Sequence, residues 1–239
     1  MKSRIPLIFT ALGLLIISSC SNKTSTDYTT LVDPFIGTGG HGHTFPGATY
    51  PHGMVQLSPD TRIYDWDACS GYHYSDSLVN GFSHTHLSGT GCADYGDVLV
   101  MPVVGDVDIR KMPLGSQNTS YASAFSHKKE EAIPGYYSVM LDRYNVKAEL
   151  TTSQRAGFHK YTFPASDKAG MLIDLDYAIQ GQVTKELTLE VISDTEIVGY
   201  KKSAYWAPEQ YIYFYAKTSK PFTSATFYRN DSIIAGVKE

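Results

Sequence analysis

The sequence predicts an all-β protein, an antiparallel β-sandwich (supersandwich) preceded by a lipoprotein signal peptide. Two observations predict the sandwich. Apolar residues alternate with polar ones over several short segments, and turn residues separate these segments at intervals of about 8 to 12 positions. In addition, no segment after the N-terminal apolar run repeats its apolar residues with the period of about 3.6 that is typical of an α-helix.

The N-terminus has the composition of an export signal. Lys2 and Arg4 precede an apolar run over residues 5–17, which ends in Ser18, Ser19 and Cys20. This run is shorter than the roughly 20 residues that a membrane-spanning helix needs. It resembles a bacterial lipobox, in which Cys20 becomes the lipidated first residue; an ordinary signal peptide with an incidental cysteine is the alternative. We therefore expect a signal peptide at residues 1–19, a polar tether at 20–30, and a lipid anchor that holds the chain in the bacterial cell envelope, at the periplasm or the outer membrane.

Residues 31–106 are rich in glycine, histidine and turn residues, and they contain three motifs. These are DPFIGTGGHGHTFPGA (33–48), DWD with GYHY (65–67 and 71–74), and GFSHTHLSGTGCADYGD (81–97). The glycines of the first motif allow positive φ angles, so its backbone can approach a ligand closely. A phosphate-binding loop is excluded because no Lys-Ser/Thr pair follows, and a dinucleotide site is excluded because no βαβ unit surrounds the motif.

Two His-x-His pairs stand in these motifs, His41/His43 and His84/His86. On a strand, this spacing places both imidazoles on one face, and four imidazoles together could bind zinc or copper. The alternative is that the histidines hydrogen-bond to the backbone or to a polyhydroxylated ligand. We adopt the second interpretation, because this spacing is not diagnostic of a metal site and Gly42 interrupts a regular strand.

Trp66 stands between two carboxylates, Asp65 and Asp67. An exposed indole can stack on a sugar ring while a neighbouring carboxylate accepts from its hydroxyls; a core tryptophan with solvent-facing neighbours is the alternative. The two aspartates are poor candidates for an acid/base pair, because hydrolysis of a glycoside places its two carboxyl groups on opposite sides of the sugar.

Residues 107–239 predict a series of strands. Period-2 or continuous apolar patterns cover residues 137–141, 146–150, 158–161, 171–175, 187–191, 197–198 and 210–216, and residues 231–239 also have the character of a strand or its approach. We expect a turn at 142–145, and a short helical turn near Asp167 or Pro208.

Composition narrows the class of protein further. The net charge of −4 excludes the basic surface that binding of nucleic acid requires. Tyrosine occurs 18 times, which suits half-buried strands and also sugar-binding surfaces. Cys69 and Cys92, in an oxidising compartment, could form a disulfide or remain as two buried thiols.

The three motifs, together with YPHGMVQLSPD (50–60), resemble the N-terminal region of glycoside hydrolase family 92 in order and spacing. The resemblance covers residues 31–239. It implies a calcium-dependent, inverting exo-α-mannosidase in which a β-sandwich is followed by an (α/α)6 barrel. The barrel supplies a general-acid Glu, a general-base Asp and most of the calcium ligands, and the mannose pocket lies between the two domains.

The resemblance implies only pocket-wall roles for this sequence, because the sequence ends before the region of the barrel. No residue matches the catalytic acid, the catalytic base or a calcium ligand, so we expect no activity from the chain alone. The loops 39–45 and 84–91 are expected to line the mannose pocket. The expected substrate-binding residues are Trp66, Asp65, Gly40, His43, Phe45, His84, His86 and Ser88.

Three functions remain as hypotheses at this point. The first is an enzyme fragment, the N-terminal domain of an α-mannosidase. The second is a free-standing lipoprotein module that binds mannose-containing glycans. The third is a metalloprotein based on the histidine pairs.

Overall fold

The computed structural model describes residues 26–229 and 232–234. The chain divides into two compact units, residues 1–31 and residues 32–239. In the first unit, Tyr28–Leu31 form a 3-10 turn, and the Asp27 carboxylate accepts hydrogen bonds from the backbone N–H and the hydroxyl of Thr29. The predicted signal peptide and Cys20 lie outside the described residues.

The described part of the second unit consists of short strands and two further 3-10 turns, at Trp66–Ala68 and His127–Lys129. The strands are β1 (Ala48–Thr49), β2 (Gln56–Asp60), β3 (Leu78–Val79), β4 (Gly81–Ser83), β5 (Leu99–Val104), β6 (Ser123–Ala124), β7 (Glu130–Ile133), β8 (Tyr136–Leu141), β9 (Val146–Thr152), β10 (Gly157–Thr162), β11 (Ala169–Asp174), β12 (Val183–Val191), β13 (Glu196–Ala204), β14 (Gln210–Lys217), β15 (Phe227–Arg229) and β16 (Ser232–Ile234).

Two antiparallel sheets form the sandwich, in the orders β1-β2-β4-β5-β11 and β10-β9-β8-β7. A third sheet, β12-β13-β14, and two small sheets, β3-β6 and β15-β16, complete the described part of the chain. The prediction of an all-β antiparallel sandwich is confirmed. Within residues 26–229 and 232–234, no helix has the length and apolar character that crossing a membrane requires.

The core lies between the first two sheets, because each sheet turns its alternate apolar residues toward the other. Leu57, Phe82 and Met101 from the first sheet and Val139 and Leu150 from the second belong to one buried cluster. Polar and charged residues occupy the alternate positions of β9, whose burial pattern changes at almost every residue. This alternation is the signal that the sequence carries for a strand with one buried face.

The predicted strands from β8 to β14 are present. Most differ from the prediction by one or two residues at their ends, but β12 begins at Val183 instead of Leu187, and β13 extends to Ala204 although the predicted segment covered only 197–198. Between β7 and β8, Pro134 and Gly135 form a two-residue connection, with Ile133 paired to Tyr136. Gly135 has φ of 79°, the left-handed conformation that a type II turn requires at this position. The expected turn at 142–145 joins β8 to β9, where Leu141 pairs with Val146.

The expectation of a helical turn near Asp167 or Pro208 is wrong. Both residues lie in bends and irregular connections between strands, and the 3-10 turns in this unit are at 66–68 and 127–129 instead. Of the last predicted strand, residues 232–234 are in β16, and the other residues of that prediction lie outside the described part of the chain.

Candidate functional site

Three loops that are far apart in sequence meet at Trp66. The Trp66 indole Nε1–H donates to the Gly91 carbonyl oxygen at 3.0 Å. The His43 ring packs edge-on against the indole, with ring centroids 4.5 Å apart, and the Gly89 N–H donates to the His43 carbonyl oxygen at 2.7 Å. The loops 37–47, 65–67 and 84–91 therefore form one surface, around an indole that remains 54% exposed.

Asp65 stabilises the turn that carries Trp66. Its Oδ1 accepts from the Asp67 backbone N–H at 2.8 Å, which caps the 3-10 turn Trp66–Ala68. Its Oδ2 accepts from the Gln117 side-chain amide at 2.8 Å. Both carboxylate oxygens therefore have partners within the protein, and Asp65 acts as a cap that orients Trp66 and Asp67.

Asp67 presents its carboxylate beside the indole. Its Oδ1 accepts from His41 Nδ1 at 2.7 Å and from His43 Nε2 at 3.0 Å. The hydrogen bonds from His41 and then from His43 lower the pKa of Asp67 below its ordinary value. Asp67 is therefore ionised at neutral pH, and its carboxylate can accept hydrogen bonds from hydroxyl groups but has no proton to donate as a general acid.

Glycine gives the first loop its tight shape. A Cβ on Gly42 would lie 2.0 Å from the Gly37 carbonyl oxygen, and that oxygen accepts from the Thr44 N–H at 3.3 Å. Gly40 is exposed, has φ of 57°, and accepts at its carbonyl oxygen from His73 Nε2 at 3.1 Å. The loop can thus place His41 and His43 side by side although no regular strand is present there.

The prediction that His86 binds substrate is corrected by the structure. Its Nδ1 donates to the Gln56 carbonyl oxygen at 2.8 Å, and its Nε2 lies 2.7 Å from Asp60 Oδ1, with neither side chain exposed. The Phe45 ring packs against the His86 ring, with centroids 5.1 Å apart. His86 and Asp60 therefore form a buried structural pair, and Phe45 packs against the His86 ring. A side chain with no exposed surface cannot contact a sugar.

His84 is half-buried, and it begins a directed chain of hydrogen bonds. Its Nδ1 donates to the Val98 carbonyl oxygen at 2.7 Å, so its Nε2 accepts from His159 Nε2 at 3.0 Å. His159 Nδ1 then accepts from the Tyr161 hydroxyl at 2.7 Å. Burial lowers the pKa of both histidines, so both rings are neutral and the two ring nitrogens of each are occupied by protein partners.

The hypothesis of one site with four imidazoles is wrong, because the two His-x-His pairs lie in different surroundings. Among the described residues, the group of side chains that could hold a metal ion is His41, His43 and Asp67, whose ligand atoms lie within 4.8 Å of one another. Two nitrogens and one oxygen do not fit calcium, which prefers six to eight oxygen ligands. His41, His43 and Asp67 are therefore not suited to hold a catalytic calcium ion.

Cys69 and Cys92 are free thiols in the structure; Cys69 is buried, as the second of the two alternatives expected of both, but Cys92 is half-buried. The Cys69 thiol donates to the Trp66 carbonyl oxygen at 2.6 Å. Burial raises the pKa of Cys69 to about 11, so the thiol is protonated and unreactive at neutral pH.

The structure thus brings together Trp66, His43 and the loop that contains Gly40, and it leaves Ser88 exposed on the neighbouring loop. Of the other expected residues, His86 is buried, His84 is half-buried and contacts His159, and Phe45 is half-buried and packs against His86. Two residues were not among the expected substrate-binding residues but lie at its centre, His41 and Asp67. In the sequence, His41 stands two positions before His43, and Asp67 directly follows Trp66. These positions do not reveal that His41 and Asp67 contact each other.

Comparisons with known proteins agree with this architecture. The model of the glycosyl hydrolase family 92 N-terminal domain matches residues 31–239. The family GH92 alpha-mannosidase BT3965 from Bacteroides thetaiotaomicron, solved in complex with mannoimidazole, is 41% identical, with a TM-score of 0.81 over 86% of this chain and 27% of that chain. The GH92 family glycosyl hydrolase ccman5 is 30% identical, with a TM-score of 0.73 over 88% of this chain and 29% of that chain.

A curated relative extends the comparison beyond bacteria. An uncharacterized secreted glycosidase of Arthroderma benhamiae is 32% identical over 163 residues, which are 67% of this chain and 20% of the relative. The chain therefore spans about a fifth of this curated relative and little more than a quarter of the solved chains.

Proposed function

Since this chain belongs to glycosyl hydrolase family 92, whose N-terminal domain it contains, we propose that it is part of an enzyme that hydrolyses α-mannosidic bonds of glycans. The observation that carries the proposal is the half-exposed Trp66 indole beside the ionised Asp67 carboxylate. The open part of the indole provides a flat apolar surface for a sugar ring. The carboxylate provides an acceptor for hydroxyl groups next to that surface.

The histidines complete this recognition surface. The His41 side chain is 71% exposed and its Nδ1 is held by Asp67, so its other ring nitrogen is available to a ligand. The buried His43 packs against Trp66 and fixes the plane of the indole. In this proposal the chain binds and orients the sugar, while Asp65 and His43 hold the binding groups in place.

The chemistry of bond cleavage is assigned to the second domain of the family. The proposal gives the general acid and the general base to an (α/α)6 barrel, with inversion at the anomeric carbon and with the calcium ion bound mainly there. The donor set of His41, His43 and Asp67 supports this division, because it does not suit calcium. The ionised Asp67 likewise does not suit the role of a general acid.

Kinetics of the enzyme that contains this domain would test the proposal. We expect it to release mannose from α-mannosides with calcium present, and we expect Trp66→Ala to lower kcat/KM on the order of tenfold or more. Tyr213→Ala removes an aromatic ring that is 74% exposed on the third sheet and serves as the matched control.

The 239-residue chain by itself provides the complementary measurement. We expect calorimetry to show that the chain binds α-mannosides and that Trp66→Ala weakens this binding. We expect the chain to release no mannose. Turnover by the chain alone that is lost in Asp67→Asn would overturn the assignment of the catalytic groups. Glycan binding by a protein that never hydrolyses mannosides would favour the free-standing binding module instead.

The proposal also includes a location. A lipid on Cys20 would hold the enzyme in the bacterial cell envelope, where it meets extracellular glycans. The apolar run and Cys20 support this part of the proposal.

A further inference from the structure

We propose that His41, His43 and Asp67 form a binding site for a divalent transition-metal ion of the zinc class, which competes with glycan for the surface beside Trp66. Binding of the metal is independent of the proposed function, because it is measured without any sugar, whereas its competition with glycan rests on that function. The three ligand atoms would be His41 Nδ1, His43 Nε2 and Asp67 Oδ1.

The three ligand atoms already converge. His41 Nδ1 and His43 Nε2 lie 2.7 and 3.0 Å from the same carboxylate oxygen. In a tetrahedral zinc site with bonds of about 2.0–2.1 Å, ligand atoms are separated by roughly 3.3 Å. Each of these two nitrogen–oxygen pairs therefore has to open by only about 0.3–0.6 Å, and all three ligand atoms lie within 4.8 Å of one another.

The site is held in shape by the protein around it. His43 is 5% exposed at its side chain, its carbonyl oxygen accepts from the Gly89 N–H, and its ring packs against Trp66. The 3-10 turn that carries Asp67 is capped by Asp65. Two ligands are thus fixed in position before the metal binds, and His41 can adjust because it is exposed.

The chemistry of the donors selects the metal. Two imidazole nitrogens and one carboxylate oxygen suit zinc, copper, nickel or cobalt, and catalytic zinc sites commonly have three protein ligands and one open position. Binding of the metal requires that His41 Nδ1 and His43 Nε2 carry no proton, so each ring would carry its proton on its other nitrogen while the metal replaces the hydrogen bonds to Asp67.

Occupation of the site would change the recognition surface. The metal would take Asp67 Oδ1 and His41 Nδ1, and it would place a positive charge beside the hydrogen-bonding groups that the proposed function assigns to a sugar at Trp66. We therefore expect zinc and α-mannoside to compete, so that zinc acts as an inhibitory ligand of the domain and not as its cofactor.

The test is a zinc titration of the full chain, purified without a histidine tag and treated with chelator. We expect one equivalent of Zn²⁺ to bind by calorimetry, and Co²⁺ to show the visible absorption of a tetrahedral complex. His41→Gln and Asp67→Asn should each weaken binding on the order of 10- to 100-fold. His41→Gln alters an exposed side chain, so it tests the site even if Asp67→Asn fails to fold.

Two control variants match these substitutions. His52→Asn replaces another exposed histidine, at a position with φ of 58° that asparagine tolerates, and Asp106→Asn replaces a carboxylate that is 95% exposed. Both should bind zinc as the unchanged chain does, and excess calcium should not displace the zinc. No saturable binding of zinc, less than about a threefold effect of His41→Gln, or displacement by equimolar calcium would overturn the assignment.

Discussion

Replacing Lys201 by methionine should lower the free energy of unfolding by about 3–5 kcal/mol, because it leaves Asp97 buried without its partner. Lys201 Nζ lies 2.9 Å from Asp97 Oδ1, and neither side chain has exposed surface. Nζ also donates to the Tyr177 carbonyl oxygen and to Gln182 Oε1, each at 2.8 Å. Methionine keeps the apolar stem of lysine, so the change removes mainly the charge and its three contacts.

The magnitude follows from what remains after the substitution. Asp97 Oδ2 still accepts from the Thr85 hydroxyl at 2.9 Å, so one oxygen keeps a neutral partner. Asp97 Oδ1 loses its contact with the ammonium group of Lys201. Removing one partner of a buried ion pair lowers the free energy of unfolding by more than the intact pair contributes to it, because the remaining charge stays buried. Asp97→Asn in addition to Lys201→Met removes the orphaned charge, so the double variant should be more stable than Lys201→Met.

Urea unfolding followed by tryptophan fluorescence measures these differences. Lys160→Met is the matched control, because Lys160 pairs with Glu149 at 3.0 Å on the surface, where it is 73% exposed, and its loss should change the midpoint little. The reasoning is refuted if Lys201→Met costs less than about 1 kcal/mol. It is also refuted if the double variant loses as much as the two single variants added together.

Three other regions carry predictions of their own. The half-buried His84–His159 pair should make the domain sensitive to acid, because the pKa of each histidine is lower in the folded chain than its ordinary value. The stability that this difference contributes is complete above about pH 6.5, the ordinary pKa of histidine, and is lost as the pH falls toward the folded pKa. Urea unfolding at pH 7.5 and 5.5 should show this loss, His159→Asn should reduce it, and a flat profile in the unchanged chain would contradict it. Gly42→Ala should lower the urea midpoint clearly more than Gly40→Ala, since a Cβ meets backbone at the first position and open space at the second; equal costs would argue against the tight loop. Cys20→Ser should abolish incorporation of an alkyne fatty acid in a bacterial host, and labelling that survives the change would exclude Cys20 as the lipidated residue.

The strands were predictable because their signal is local. In β9, Val146, Ala148 and Leu150 are buried while Lys147 is exposed, and this alternation stands in the sequence itself. The fold class and the strands β8 to β14 needed no knowledge of contacts between distant residues. The resemblance to family 92 was likewise visible, because long motifs with fixed spacing specify a family without any coordinates.

The site was only partly predictable, because identical residue types have different partners in three dimensions. His43 and His86 stand in the same kind of motif, but His43 contacts Asp67 beside Trp66, and His86 pairs with the buried Asp60. His84 meets His159, which is 75 positions away. The spacing of residues along a loop does not reveal these partners.

The sequence by itself determined the all-β class, the positions of the strands β8 to β14, the apolar N-terminal run and the family, because each depends on patterns of neighbouring residues. Only the tertiary structure decided which partners the side chains around Trp66 have. It gave Asp65 the role of a cap and made Asp67 the acceptor of hydrogen bonds from His41 and His43, although the two aspartates stand on either side of the same tryptophan. The physical reason is that the path of a loop is fixed by distant hydrogen bonds, such as that from Trp66 to Gly91, and a one-dimensional pattern does not contain them.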